Sequence, residues 1–182
     1  MLQGLMGKVM AGLLSVSALM FSPDKGNNPQ FEPLQSRVGQ NFLFVKAKLV
    51  NAFDNDFDDV FNCGKPVNLW YKITVKHDRN TVFTRQYRHT VTYDPMNAAW
   101  ELFTSETNRK EIHTVYRDLV DDVSLLECQM PRDARWRSVE VTAEAWLQSI
   151  ELSQPHRMID LMVHWKYKRP VTKTIFNLPH TS

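Results

Sequence analysis

From Phe42 onward apolar and polar residues alternate. Leu43, Val45, Ala47 and Leu49 share one face and Lys46 and Lys48 the other, as a half-buried strand requires. The period then changes: Phe57, Val60 and Phe61 fall at i, i+3 and i+4 behind Asp54, Asp56, Asp58 and Asp59, acids that suit a helix N-terminus, so the spacing predicts a short helix. Gly64, able to take a left-handed cap, and Pro66 should end it. Alternation resumes with Val67, Leu69, Tyr71, Ile73 and Val75 opposite Asn68, Lys72, Thr74 and Lys76.

His77-Asp78-Arg79-Asn80 has the composition of a hairpin turn, leading into a third strand through Phe83, Tyr87 and Val91 to Asp94-Pro95. A fourth strand is expected over Ala98–Phe103. Helical spacing returns from Thr114 to Glu127, with Val115, Leu119, Val120, Val123 and Leu126 on one side, Thr114 as N-cap and Pro131 beyond the end. Two long strands should follow, Val139–Leu147 and Ile159–Tyr167, joined by a turn around Gln154-Pro155-His156. A bulge or strand end is expected between Leu147 and Ile150, where the apolar parity slips. Six or seven strands with two short helices predict a mainly β fold: an antiparallel β-sandwich, immunoglobulin-like or C2-like.

The chain has 182 residues, 43% of them apolar, enough for one full-sized core. Lys8 is the only charge before Asp24, and the apolar run Val9–Phe21 follows it. That run is short against the roughly 20 residues a bilayer core needs, and Val16-Ser17-Ala18 offers small residues for cleavage. Residues 1–21 therefore read as a signal peptide or N-terminal anchor, with a buried helix as the alternative. Residues 22–40, holding Pro23, Gly26, Asn27, Asn28, Pro29 and Pro33, read as a flexible tether. The sandwich should span 41–170 and a tail 171–182. Export places the domain in the periplasm or tethered on the outer side of a membrane.

The alternating strand ending in Leu49-Val50-Asn51-Ala52-Phe53, the helix closing on Gly64-Lys65-Pro66-Val67, the charged hairpin, Val91-Thr92-Tyr93-Asp94, and a helix before two long strands form an ordered set. Over about Asn41–Pro170 this set resembles the bacterial family catalogued as domain of unknown function 4390. The resemblance implies a small exported or membrane-tethered protein and carries over no catalytic residue.

Candidate chemistry is sparse. Asp54-x-Asp56-x-Asp58 imitates a calcium loop, but Asp59 stands where the loop needs Gly and Lys65 where it needs Glu. His77, His89, His113, His156, His164 and His180 show no close zinc spacing and read as surface or turn histidines, so no metal and no cofactor is expected. Cys63 and Cys128 could form one disulfide in an oxidising compartment or remain two buried thiols.

A formal net charge of +2 gives no footprint for nucleic acid. Locally, Arg79, Arg85, Arg88 and His89 concentrate positive charge on one hairpin beside Lys72 and Lys76, either a solvated sheet face or a dock for an acidic partner. Trp70 opposes the apolar parity of its strand and should be exposed. Taken together, these features predict an exported envelope module that binds another protein without catalysis. The alternatives are a hydrolase-type enzyme using dispersed acids and histidines, or a cytosolic adaptor if the N-terminal run is not a signal.

Overall fold

A computed structural model describes residues 26–55, 57–153 and 156–179. The apolar run 9–21, with the signal or anchor expected there, lies outside them. Among the described residues no helix is long and apolar enough to cross a membrane.

The strands are β1 (Gln30–Phe31), β2 (Gln35–Val38), β3 (Phe42–Val50), β4 (Val67–His77), β5 (Asn80–Asp94), β6 (Ala99–Thr104), β7 (Arg109–His113), β8 (Leu125–Pro131), β9 (Ser138–Leu147), β10 (Ile150–Ser153), β11 (His156–Ile159) and β12 (Val171–Asn177). Two α-helices, α1 (Phe57–Phe61) and α2 (Tyr116–Val123), and a 3-10 helix (Leu161–Trp165) complete the described chain. The larger sheet runs β12-β9-β4-β5-β6-β7 with antiparallel pairing throughout. In the smaller sheet β1 and β2 border one side of β3 and β8 the other. The inward residues of both sheets join one hydrophobic cluster, so the molecule is the antiparallel β-sandwich that the alternation predicts.

Local chemistry explains the turns. Asp78 and Arg79 both take positive φ, 49° and 70°, which matches the right-handed twist of the β4–β5 hairpin and fixes Arg79 at its tip. Gly64, at φ +73°, turns the chain after α1 as expected of a left-handed cap. Phe57, Val60 and Phe61 are buried against the core, which makes α1 a plug.

Four expectations need correction. Residues 30–38 are not a tether, because β1 and β2 pair with β3. Upstream of them Asn27 is buried, its Oδ1 accepting from the Asp54 and Asn55 amides at 3.1 and 2.8 Å. Polar composition hid a segment held by hydrogen bonds. Residues 171–177 are not a tail but the edge strand β12, seven residues in register with β9. The second helix stops at Val123 because Leu126, Cys128 and Met130 belong to β8, where helical and strand periods overlap. Its N-cap is Val115, not Thr114, and no side chain caps it. Finally, Ile159–Tyr167 is not a strand: Asp160 caps the 3-10 helix by accepting from the Met162 amide at 2.9 Å, and Leu161, Met162, His164 and Trp165 are all buried, a helical spacing. The strand end after Leu147 is found, and β7, a polar edge strand, was not foreseen.

Candidate functional site

Strand β5 carries Arg85, Tyr87, His89 and Val91 on its inward face. Its alternation places Arg88 on the other side, opposite Trp70 of β4. Above the inward face the β6–β7 turn folds back: Ser105 Oγ accepts from the Arg88 amide at 2.7 Å, and the Ser105 amide donates to the Arg88 carbonyl at 3.0 Å. This holds Glu106 over His89. The two side chains are 6% and 0% exposed, and Glu106 Oε1 lies 2.8 Å from His89 Nε2.

The other ring nitrogen, Nδ1, lies 2.9 Å from the Val123 carbonyl, which also accepts from the Tyr71 hydroxyl at 2.9 Å. A carbonyl can only accept, so Nδ1 carries a hydrogen. One proton is then shared between Nε2 and Oε1, and the buried pair is neutral as a unit whichever atom holds it.

Two polar atoms beside this pair, Glu106 Oε2 and the Tyr87 hydroxyl, are buried without a hydrogen-bond partner. Buried polar atoms are normally satisfied, so these two are exceptions to the rule. The Tyr87 hydroxyl faces the Cys128 thiol. Burial pushes Cys128 from 9.0 up to about 12, with the charge of Glu106 adding to the rise, which keeps it a neutral thiol and a poor nucleophile. A cleft of about 610 Å³ opens here, lined by Ser36, Arg37, Lys46, Glu106, Glu127 and Cys128 among others. That volume suits a small polar molecule. Chemically, Glu106 could accept a hydrogen bond from a ligand or pass a proton to it.

A second region lies on the outward face of the larger sheet. Trp70 and Trp146 stack with centroids 6.3 Å apart and planes 7° from parallel. Arg88 covers Trp70 and Arg169 covers Trp146, with guanidinium carbons 5.7 and 5.6 Å from the ring centres. The row Arg88–Trp70–Trp146–Arg169 is bounded by Lys72 and by Lys173, which pairs with Glu140 at 2.6 Å. Trp70, expected exposed, is half-buried because Trp146 covers it and its Nε1 donates to Gln148 Oε1 at 2.9 Å.

The basic cluster expected on one hairpin is therefore divided. Trp70, Lys72 and Arg88 share the outward face, Arg85 and His89 face inward, and Arg79 sits at the turn. His89, read as a surface histidine, is a core residue, and so are His113 and His164. Cys63 and Cys128, weighed as a disulfide, are free buried thiols: Cys63 follows α1 with its thiol 3.8 Å from the Lys65 carbonyl, whereas Cys128 sits in β8 against Tyr87.

A third group was missed because its members come from β7 and α2: Glu111, His113 and Asp122, whose ligand atoms all lie within 4.8 Å of one another. Glu106 was also missed, since a turn acid carries no periodic signal. No family model matches this chain, and neither a curated protein nor a solved structure does.

Proposed function

We propose that the protein is a binding module of the cell envelope, exported or tethered on the outer side of a membrane, that engages another protein and performs no catalysis. Its membership of the family of domain of unknown function 4390 is part of the same proposal. The observation that carries the binding reading is the outward row Arg88–Trp70–Trp146–Arg169, four large side chains pre-stacked across three strands and the segment before β12. Rigid aromatics flanked by guanidiniums lose little entropy on docking and are enriched where interfaces concentrate their energy. Lys72, Lys76, Arg88, Arg169 and Lys173 outnumber Glu140 and Glu144 there, so an acidic segment of the partner is the complementary surface.

The test is site-specific photo-cross-linking in intact cells. A cross-linker at Lys72 should give one discrete adduct that the pair Arg88→Glu and Arg169→Glu abolishes, while a cross-linker at Arg117 on α2 gives none. An adduct unaffected by the charge reversals would overturn the reading. Export is tested separately by mass spectrometry of the mature N-terminus, where intact Met1–Ala18 on soluble cytoplasmic protein would refute it.

The cleft favours a second reading, the hydrolase-type enzyme. Its supporting observation is Glu106, a buried carboxyl backed by His89 and counted among the residues that line the cleft. A hydrolytic activity against a broad ester and glycoside panel that Glu106→Gln removes would replace the binding reading. Unchanged background hydrolysis would retire the enzyme.

A further inference from the structure

We propose that Glu111, His113 and Asp122 form a binding site for one divalent transition ion of the zinc class. This inference is independent of the outward-face reading.

His113 ends β7 directly opposite Trp100 of β6, and Glu111, two residues earlier on the same face, is opposite Leu102. Helix α2 lies against β6 and β7 and brings Asp122 to the same spot. The His113 side chain is 9% exposed, and its Nε2 is buried with no hydrogen-bond partner. Leaving an imidazole nitrogen buried and unsatisfied is unfavourable unless something else occupies its lone pair.

Asp122 Oδ2 is 3.6 Å from that nitrogen, too far for a hydrogen bond. The same spacing suits a shared ion, because two ligands each about 2.1 Å from a tetrahedral centre stand about 3.4 Å apart. Glu111 is exposed, so its carboxylate can swing the remaining distance. One imidazole and two carboxylates balance the charge of a divalent cation. Nitrogen and oxygen together select a borderline metal such as Zn²⁺ over Ca²⁺ or Mg²⁺, which prefer oxygen alone. Three protein ligands leave at least one position for water or an incoming group. The site occupies the rim between an edge strand and a helix, where such a position would be open to solvent.

The proposal is tested by titrating the untagged full chain with ZnCl₂ in a calorimeter and with Co²⁺ in an absorption spectrometer. One saturable site per chain is expected, with Co²⁺ d–d bands and no thiolate charge-transfer band, since both cysteines are buried. His113→Ala should abolish binding, and Asp122→Asn and Glu111→Gln should each weaken it at least about tenfold. His113 is a core residue, so its variant could fail to fold. Asp122, whose side chain is 48% exposed, keeps the test decisive, with circular dichroism confirming that D122N is native. Absence of saturable binding by the native protein would overturn the site, and so would wild-type affinity in D122N and E111Q.

Discussion

The two sheets enclose one core, yet its two ends are built differently. At one end Phe53, Phe57, Phe61 and Trp165 meet at centroid distances of 4.8–6.1 Å, and the Trp165 indole donates to the Ala52 carbonyl at 2.8 Å. Every large ring there is buried and the Trp165 N–H is satisfied, while the buried His164 imidazole packs edge-on against Phe57 at 5.5 Å. At the other end Tyr87, His89, Glu106 and Cys128 bring hydroxyl, imidazole, carboxyl and thiol groups into the same interior and leave two polar atoms unpartnered beside an open cleft. The first arrangement maximises apolar burial. The second forgoes part of it, and a buried polar cluster is kept only where the fold or the function uses it.

The comparison predicts unequal sensitivity to truncation. Phe57→Ala removes a fully buried ring touching Phe53 and Phe61, and should cost about 3–5 kcal/mol in urea unfolding. A loss below about 1 kcal/mol would mean the plug is not part of the cooperative core. At the polar end Glu106→Ala deprives His89 Nε2 of its partner and should cost about 1–3 kcal/mol. Removing both polar groups together, in His89→Leu with Glu106→Leu, should restore most of that loss, because a neutral buried pair is easily matched by apolar packing. A double variant as unstable as the single would show that the pair, rather than its broken half, supports the fold.

How much of this was legible differs between the ends. The plug is written in Phe57, Val60 and Phe61, whose spacing and acidic start leave little choice but a short helix. On the polar side the parity of Tyr87, His89 and Val91 carried the signal that His89 points inward, but its neighbours Arg85 and Arg88 suggested a charged surface instead. Glu106 had no signal of any kind: its burial depends on the Ser105–Arg88 bonds, which join residues 17 apart. The Glu111–His113–Asp122 group likewise exists only after α2 packs on β7. The 3-10 helix was readable in principle from Asp160, an N-cap residue ahead of two adjacent buried pairs.

Alkali should weaken both ends, because burial raises the Cys63 thiol beside the plug as well as Cys128. Cys128 titrates at about 12 in the fold against 9.0, so the native state holds this proton more tightly than the unfolded chain. The stability it contributes is complete below pH 9.0 and is lost as pH rises towards about 12. The expected slope approaches about 1.4 kcal/mol per pH unit. Tyr87 and Tyr116, both raised by burial, add to the fall higher up. Urea midpoints measured from pH 8 to 11 check this, and Cys128→Ala should flatten the first part of the curve. Without reductant, iodoacetamide should modify both cysteines only after denaturation, and failure to label them there would restore the disulfide.

The smallest effect should come from the rim of the cleft. Lys46 and Glu127 pair at 3.1 Å with side chains 43% and 62% exposed, where water and salt screen the attraction and ordering two long side chains offsets it. Lys46→Ala should change stability by less than about 1 kcal/mol, and raising the salt concentration should shrink even that. Phe57, Glu106 and Lys46 then form a descending series from dry plug to buried polar pair to wet rim. A Lys46 variant as damaging as Glu106→Ala would break the series, because it would mean that the cleft is closed and its rim is part of the core.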